Sequence, residues 1–573
     1  MRTSWRVLIC LAISLAYLPF LNSRVLPTAG DDKVYVSQSL EMKEAGTLFV
    51  QTLFGEPNYF KGPLQYLLIQ AGQSLFGLKP LALVYMNFLL LVITGLAIGT
   101  VVGRHVPTEK KASLALWAGL GCAFSAGTIG HVFASQMDIQ LLCLYSLAMM
   151  FLDRSKQPLH DLGFWLCAGL IGWSKSPLHS GLLGISYCLY WVFMGAIHGK
   201  DVLKSKILNT RSWLFCFLGI ALCLSGYLPA ILNDWHNFNE NYLLRETFSK
   251  SDGNGGPIWQ SWLPLFFYYL FPWNWLALVL YALGIKGIWR NRTRLKEFTR
   301  SAEASAWALV IAITAPILIF FCIHPYRGEN YTYPAQGAVF VLLALIWAKN
   351  PSSRSIRWIS WPTALQLLVP GALLAWMVLP HRPDWLPVYE PGLILALAVL
   401  SAVGVLLSML RRPQREGQSA LAITPFVMCM ALILLHLGTW ELKGLQKYLA
   451  ESGDQPSGHL CYLNLDKNIW NESGTLSFAL GRRVAACTTE IKALEHLRMG
   501  GTLIVQSKEA LEGLRKNAEF QSLSLTESPW QRWGRHAHIP KNGGKSPLLE
   551  VRETGNWSLL QRQLVLVRKT GSI

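Results

Sequence analysis

Residues 31–66 begin with Asp31-Asp32-Lys33-Val34-Tyr35 and end with Tyr59-Phe60-Lys61-Gly62-Pro63-Leu64-Gln65-Tyr66, and they lie between two long apolar segments. The stretch combines two adjacent acids with a lysine that has aromatic, glycine and proline neighbours. Connections between elements are usually short, so a loop that only joined two membrane helices would not need about forty residues. We interpret this stretch as the core of an active site held at a membrane surface.

The composition is that of a polytopic membrane protein. Of the 573 residues 52% are hydrophobic and only 15% are charged, whereas soluble domains carry about 25% charged residues. The formal net charge of +18 raises the question of nucleic-acid binding. However, the basic residues form short clusters between apolar segments, which is how membrane topology is encoded. We therefore expect the bilayer as a partner and no nucleic acid.

Apolar segments of membrane-spanning length predict about thirteen transmembrane helices. They cover residues 6–23, 80–102, 113–130, 132–152, 160–175, 178–196, 212–232, 262–289, 303–323, 332–348, 358–379, 391–410 and 419–438. No small-x-small cleavage site follows the first segment, which favours an uncleaved helix over a signal peptide. The basic clusters fall mostly on one side in alternation, which marks that side as cytoplasmic. The opposite side then receives residues 24–79, 233–261, 324–331 and 380–390 and the chain after about residue 440.

The chain changes character near Trp440, and we predict two domains, a membrane domain over 1–439 and an extracytoplasmic α/β domain over 440–573. Residues 440–573 contain no spanning segment and alternate short apolar runs with polar turns. The pattern predicts strands over Leu460–Leu463, Thr475–Leu480, Thr502–Val505 and Leu564–Val567, and helices over Thr489–Arg498 and Lys508–Lys516. Cys461 and Cys487 lie in this polar region and are candidates for a disulfide if it is extracytoplasmic.

Under this topology the unusual polar residues collect on the extracytoplasmic face. They are the acids Asp31, Asp32 and Asp138, the cations Lys61, Lys175, Arg245, Lys250 and Arg327, and Tyr331. Ionisable residues at membrane depth are costly and usually mark function. Taken singly, Asp31 and Asp32 also fit a solvated loop or a helix cap, and Lys61 and Lys175 fit side chains that extend to the interface. Arg327 also fits a surface charge and Tyr331 an interfacial tyrosine, whereas Asp138 in an apolar run is harder to explain without a function. The histidines on this face show no metal-ligand spacing, and we expect them to be structural.

Several of these motifs resemble, in order along the chain, those of the GT-C glycosyltransferases of the protein O-mannosyltransferase type. Within that group they resemble the aminoarabinose transferases that modify lipid A. The matching stretches are Asp31 to Tyr35 for an Asp-Glu-x-x-Tyr pattern, Tyr59 to Leu64 for Phe-Glu-Lys-Pro-Pro-Leu, Asp138, Gly169 to Pro177 for a Thr-Lys-Gly-Pro stretch, and Arg327 to Pro334 for Lys-Leu-x-x-Tyr-x-x-Pro. The resemblance implies Asp31 as the catalytic aspartate, acting as general base, and Asp138 as a second catalytic residue that orients a loop or the donor. It implies Lys61, Lys175, Arg327 and Tyr331 as ligands of a lipid-carrier phosphate. Arg245 and Lys250 are weaker candidates on the carrier path.

Two departures from that family bear on metal binding. Aminoarabinose transferases can hold zinc through a glutamate and a histidine, and the corresponding positions here are Phe60 and Thr247. An aromatic ring and a lone hydroxyl do not suit zinc. We therefore predict no metal site and no cofactor, and the departures weaken any assignment of aminoarabinose as the sugar.

The resemblance implies an inverting, integral inner-membrane glycosyltransferase of bacteria. It would move a sugar from a polyprenyl-phosphate carrier to a lipid A, glycan or protein acceptor at the periplasmic face. The rival from another class is a transporter or flippase for a lipid-linked or anionic solute, whose charges would lie near the bilayer midplane. A structural membrane protein with an external binding domain is a third interpretation, but it leaves Asp138 and Lys175 unexplained.

Overall fold

The structure is a computed structural model, and it describes residues 4–17, 31–248, 257–290, 302–325, 329–349, 459–467, 473–505, 508–533 and 561–569, with residues 396, 399, 403 and 554 singly. Three of the predicted spans, 358–379, 391–410 and 419–438, lie outside these residues apart from 396, 399 and 403. The predicted domain boundary near residue 440 lies outside them altogether.

The N-terminal part is a helical bundle. Its helices are α1 (Ser4–Tyr17), α2 (Asp32–Glu44), α3 (Leu64–Phe76), α4 (Leu81–His105), α5 (Thr108–Ala123), α6 (Ala126–Val132), α7 (Asp138–Leu152), α8 (Pro158–Ser174), α9 (Pro177–His198), α10 (Lys200–Ile207), α11 (Thr210–Ser225), α12 (Leu228–Asn233), α13 (Trp235–Phe238), α14 (Trp259–Phe266), α15 (Asn274–Arg290), α16 (Ala302–Ile323) and α17 (Gln336–Lys349). A π-helix covers Asn239–Phe248, and short 3₁₀ turns cover Tyr268–Leu270, Glu329–Tyr331 and Tyr333–Ala335. A small hairpin, β1 (Thr52–Leu53) with β2 (Glu56–Pro57), precedes α3.

Within the described residues, three helices are long and apolar enough to cross a membrane. They are α4, α9 and the part of α16 over Ala304–Ile323, and the number rises to five if the bent pairs α5–α6 and α10–α11 each form one span. The prediction of about thirteen spans is therefore not confirmed. Hydropathy finds apolar runs but not helix ends. The predicted run 132–152, for example, contains only the 15-residue helix α7, and a full span needs about 20 residues.

Several ion pairs lie at the end of the bundle where the predicted cytoplasmic clusters are. At the end of α4, Arg104 and His105 contact Asp153 at 2.8 Å and 2.7 Å, respectively. Nearby in the sequence, Lys206 of α10 pairs with the buried Asp161 of α8 at 2.7 Å. These contacts tie the basic ends of α4 and α10 to neighbouring helices. The candidate site lies at the other ends of α7 and α8.

The C-terminal sheet is mixed and has the strand order β4-β3-β5-β7-β6. Its strands are β3 (Leu460–Leu463), β4 (Val484–Cys487), β5 (Thr502–Val505), β6 (Leu525–Trp533) and β7 (Gln561–Lys569), and its helices are α18 (Ser473–Leu480), α19 (Glu490–Arg498), α20 (Lys508–Arg515) and α21 (Ala518–Gln521). The strands β3, β4 and β5 are parallel, whereas β7 runs antiparallel to β5 and β6. A disulfide joins Cys461 of β3 to Cys487 of β4.

One sequence prediction in this region is wrong. The run Thr475–Leu480 forms the end of helix α18, not a strand. Short apolar runs cannot be assigned to strand or buried helix by periodicity alone. Here packing against α2 decides between strand and helix. Gly474 approaches α2 so closely that an added Cβ would lie 2.6 Å from Ser37 Oγ. Strands β4 and β6 were not predicted.

Helix α2 and the C-terminal sheet share one hydrophobic core. The buried side chains Val34, Tyr35 and Leu40 of α2 belong to the same cluster as Tyr462 and Phe478. At the rim of this contact, the guanidinium of Arg483 donates to both carboxylate oxygens of Glu44, and Lys467 pairs with Glu56 at 3.1 Å. The C-terminal sheet therefore fixes the position of the helix that carries Asp32.

Candidate active site

The two adjacent acids have different surroundings. Asp31 precedes helix α2 and is partly exposed, with the Tyr35 hydroxyl 3.5 Å from its Oδ2. Asp32, the first residue of α2, is fully buried, and the Ser135 hydroxyl lies 3.5 Å from its Oδ1. The sequence placed Asp31 at the catalytic position, and the structure leaves Asp31 the more accessible of the pair.

The hairpin β1–β2 holds the segment that leads to Lys61. Its turn uses positive φ angles at Phe54 and Gly55, and the backbone N–H groups of both residues donate to the carboxylate of Glu41 on α2 at 2.9 Å and 3.0 Å. Burial raises the pKa of Glu41, and these two hydrogen bonds oppose the increase. Just before the strand, the side chain of Gln51 accepts from the Phe60 N–H at 2.9 Å and donates to the Lys61 carbonyl at 2.6 Å. Lys61 is thus tied through its backbone to the hairpin.

Two aromatic rings connect Lys61 to the helix that follows Asp31. Its Nζ lies 4.5 Å from the centre of the Phe60 ring, which is within cation–π range. Phe60 is buried, and its ring centre lies 5.8 Å from that of Tyr35, one helical turn after Asp31. Phe60 stands where the family that the sequence resembles has a zinc ligand, and here its ring contacts the lysine instead.

Gly62 brings Lys61 against the end of helix α8. A Cβ added at Gly62 would overlap the carbonyl oxygen of Trp173. A residue with a side chain at this position would push the two backbones apart. Trp173 lies two residues before Lys175, so this close approach places the two predicted phosphate-binding lysines in the same region.

Lys175 lies between an acid and an aromatic ring. Its Nζ donates to Oδ1 of Asp138 at 3.1 Å, and both side chains are largely buried. The same Nζ lies 5.0 Å from the centre of the Tyr331 ring. Asp138 also has the His131 Nδ1 3.7 Å from its Oδ2. The structure thus brings together Lys175, Asp138 and Tyr331, three residues that the sequence analysis selected.

His179 also lies at this cluster, and its expected structural role stays a prediction. It is buried on the first turn of α9, and its ring is stacked on that of Tyr331 with 6.2 Å between centres. Its Nδ1 lies 3.0 Å from the Ser176 hydroxyl, and Lys175, Asp138 and Lys61 are its charged neighbours. No spacing in the sequence could have revealed this contact, because it depends on how three helix ends meet.

Three predicted residues are not placed in the cluster. Arg327 and Lys250 lie outside the described residues, and of Arg245 only the backbone is described, in the π-helix Asn239–Phe248. In the described ranges, no group of three or more His, Cys, Asp or Glu residues is arranged to hold a metal ion.

Comparison with known proteins gives a match at the level of structure. No protein-family model matches the sequence, and a search of curated proteins finds no similar sequence. The crystal structure of ArnT from Cupriavidus metallidurans bound to undecaprenyl phosphate superposes with a TM-score of 0.69 at 15% identity, covering 100% of this chain and 99% of ArnT. The apo structure of the same protein gives 0.65 at 16% identity, covering 99% and 98%. At these identities the likeness concerns the fold alone: the chain shares the fold of ArnT, an aminoarabinose transferase of the group that its ordered motifs resemble.

Proposed function

We propose that this protein is a membrane glycosyltransferase that takes its sugar from a polyprenyl-phosphate carrier. The observation that carries the proposal is the position of Lys175, held by Asp138 and the Tyr331 ring next to the segment of Lys61. Two lysines near one point provide the positive charge that a phosphate leaving group needs. The fold shared with ArnT, which was crystallised with undecaprenyl phosphate, supports the same substrate class.

The proposed reaction is a single displacement with inversion. Asp31 takes the proton from an acceptor hydroxyl while that oxygen attacks the anomeric carbon of the sugar. The bond between that carbon and the carrier phosphate oxygen breaks, and polyprenyl phosphate leaves with the electron pair. Lys61 and Lys175 neutralise the negative charge on the departing phosphate, and Tyr331 lines its site. Arg327 joins them by its motif, and Arg245 and Lys250 are placed on the carrier path by the same resemblance.

Asp138 acts on Lys175 in this scheme, not on the sugar. Its buried carboxylate contacts the ammonium group directly, which holds the flexible lysine chain in one orientation. The acceptor is a lipid A, glycan or protein hydroxyl. The protein works in the bacterial inner membrane with this face and the C-terminal sheet in the periplasm, where the Cys461–Cys487 disulfide is stable.

Binding of undecaprenyl phosphate by the purified protein tests the proposed carrier site. Against undecaprenol, which lacks the phosphate, the wild type should bind undecaprenyl phosphate at least about tenfold more tightly. Lys61→Ala should remove most of this preference. Lys43→Ala is the matched control, since Lys43 is a partly exposed lysine of α2 that contacts Ser74 instead. Equal binding of the two lipids by the wild type would contradict the proposal.

Deletion of the protein from its host tests the transfer reaction itself. Mass spectrometry of surface lipids, glycans and proteins should show one class that lacks a sugar in the deletion strain. Expression of the wild-type chain from a plasmid should restore that sugar and thereby identify both donor and acceptor. Unchanged spectra of all three classes would contradict sugar transfer.

A further inference from the structure

A line of buried hydrogen bonds connects the segment of Lys61 to the end of helix α8. The Gln65 side-chain amide donates to the Ser135 carbonyl at 2.6 Å. The Gln140 amide in turn donates to the side-chain oxygen of Gln65. The Ser174 hydroxyl then donates to the side-chain oxygen of Gln140 at 2.8 Å. Gln65, Gln140 and Ser174 are 3%, 2% and 0% exposed, so the whole line is buried.

The direction of each bond is determined by its neighbour. Because Gln65 uses its NH₂ group on a backbone carbonyl, its oxygen faces Gln140. Gln140 must then present its NH₂ group to Gln65 and its oxygen to Ser174. An unsatisfied amide in a buried site costs about 1–3 kcal/mol, so a rotation of either side chain is disfavoured. The three side chains therefore form one rigid link.

The link joins the elements that carry the proposed phosphate ligands. Gln65 lies four residues after Lys61, with the close contact at Gly62 between them. Gln140 lies on α7 two residues after Asp138, and Ser174 immediately precedes Lys175. At its other end, Ser135 contacts the buried Asp32 next to Asp31.

We propose that Gln65, Gln140 and Ser174 are positioning residues that set the relative placement of Lys61 and Lys175 for the carrier phosphate. This inference rests on the proposed function, since it assumes that the two lysines bind one phosphate. Ordinary core packing is the competing explanation. It predicts that removing the link weakens the whole fold without affecting the phosphate in particular.

The experiment measures binding of undecaprenyl phosphate and of undecaprenol to Gln65→Met, Gln140→Met and the double variant. Methionine has the length of glutamine but lacks its donor and acceptor. Each single variant should reduce the preference for the phosphate about tenfold. The double variant should match the singles within about twofold, since either substitution breaks the same link.

Two further variants keep the test decisive. Gln70→Met is the matched control, because Gln70 is a buried glutamine of the same helix α3 whose Nε2 has no hydrogen-bond partner among the described residues. It should leave the preference unchanged. Ser174→Ala removes a single hydroxyl and tests the link if the methionine variants fold poorly, and we expect a loss of about fivefold.

The possible results separate the inference from the function on which it rests. A wild type without preference for the phosphate would overturn both. A wild-type preference that persists in Gln140→Met and Ser174→Ala would overturn the inference alone. So would an equal loss in Gln70→Met, or equal weakening of both lipids, since core packing explains either result.

Discussion

Asp31→Asn should reduce sugar transfer by about 10²- to 10⁴-fold, the usual contribution of a general base. The substitution keeps the shape of the side chain and its position near Tyr35, but an amide cannot take the proton from the acceptor hydroxyl. Binding of undecaprenyl phosphate should persist, because Asp31 does not hold the phosphate in the proposed site. The assay is transfer in membranes supplied with the polyprenyl-phosphate sugar that the deletion strain identifies.

Asp32→Asn is the matched comparison for this prediction. Asp32 is buried and the Ser135 hydroxyl contacts it, and an asparagine oxygen can keep that contact. We expect Asp32→Asn to retain at least about a tenth of the wild-type transfer rate. The reverse pattern, with an active Asp31→Asn and an inactive Asp32→Asn, would move the role of base to Asp32. Wild-type transfer by both variants would remove the carboxylate mechanism.

Asp138→Asn should lower the free energy of unfolding by about 3 kcal/mol, because it leaves the buried ammonium group of Lys175 without its counter-charge. Lys175→Met should also destabilise the protein, and the double variant should lose less than the sum of the two. Binding of undecaprenyl phosphate should distinguish phosphate binding by Lys175 from the support that Asp138 gives to that lysine. Lys175→Met should lose at least about tenfold in affinity, whereas Asp138→Asn, which keeps the cation, should lose less.

The ion pair at the opposite end of the bundle provides the control for this cycle. Lys206 and Asp161 are also buried and contact each other at 2.7 Å. Asp161→Asn should destabilise the protein in unfolding experiments by a similar amount and leave phosphate binding unchanged. If Lys175→Met binds undecaprenyl phosphate like the wild type, Lys175 is a structural residue only.

The sequence predicted the fold best where a single physical property dominates. Apolarity alone located α4 and α9 to within a few residues. It failed where tertiary contacts decide, as in α18, where the side chains of Leu476 and Phe478 are buried against α2. Apolarity also overestimated the lengths of several spans, because it does not show where a helix begins. The predicted span 132–152, for example, included the turn before Asp138, where α7 begins.

The candidate site was predicted in part for a similar reason. Lys61, Asp138 and Lys175 are conspicuous because charged side chains are rare in apolar surroundings. Gln65, Gln140 and Ser174 are neutral and gave no such signal, although the structure joins them by hydrogen bonds. The contact between His179 and Tyr331 was not predicted, because it needs residues about 150 positions apart to meet.

The shared core of α2 and the C-terminal sheet has a consequence for synthesis of the protein. Glu44 and Arg483 contact each other across 439 residues of sequence, a length that a ribosome needs about 20–90 s to translate. For most of that time Val34, Tyr35 and Leu40 have been made, but Tyr462 and Phe478, which share their hydrophobic core, have not. Helix α2 therefore reaches its final place only after translation is nearly complete, so a nascent or truncated chain carries Asp31 and Asp32 without an assembled candidate site.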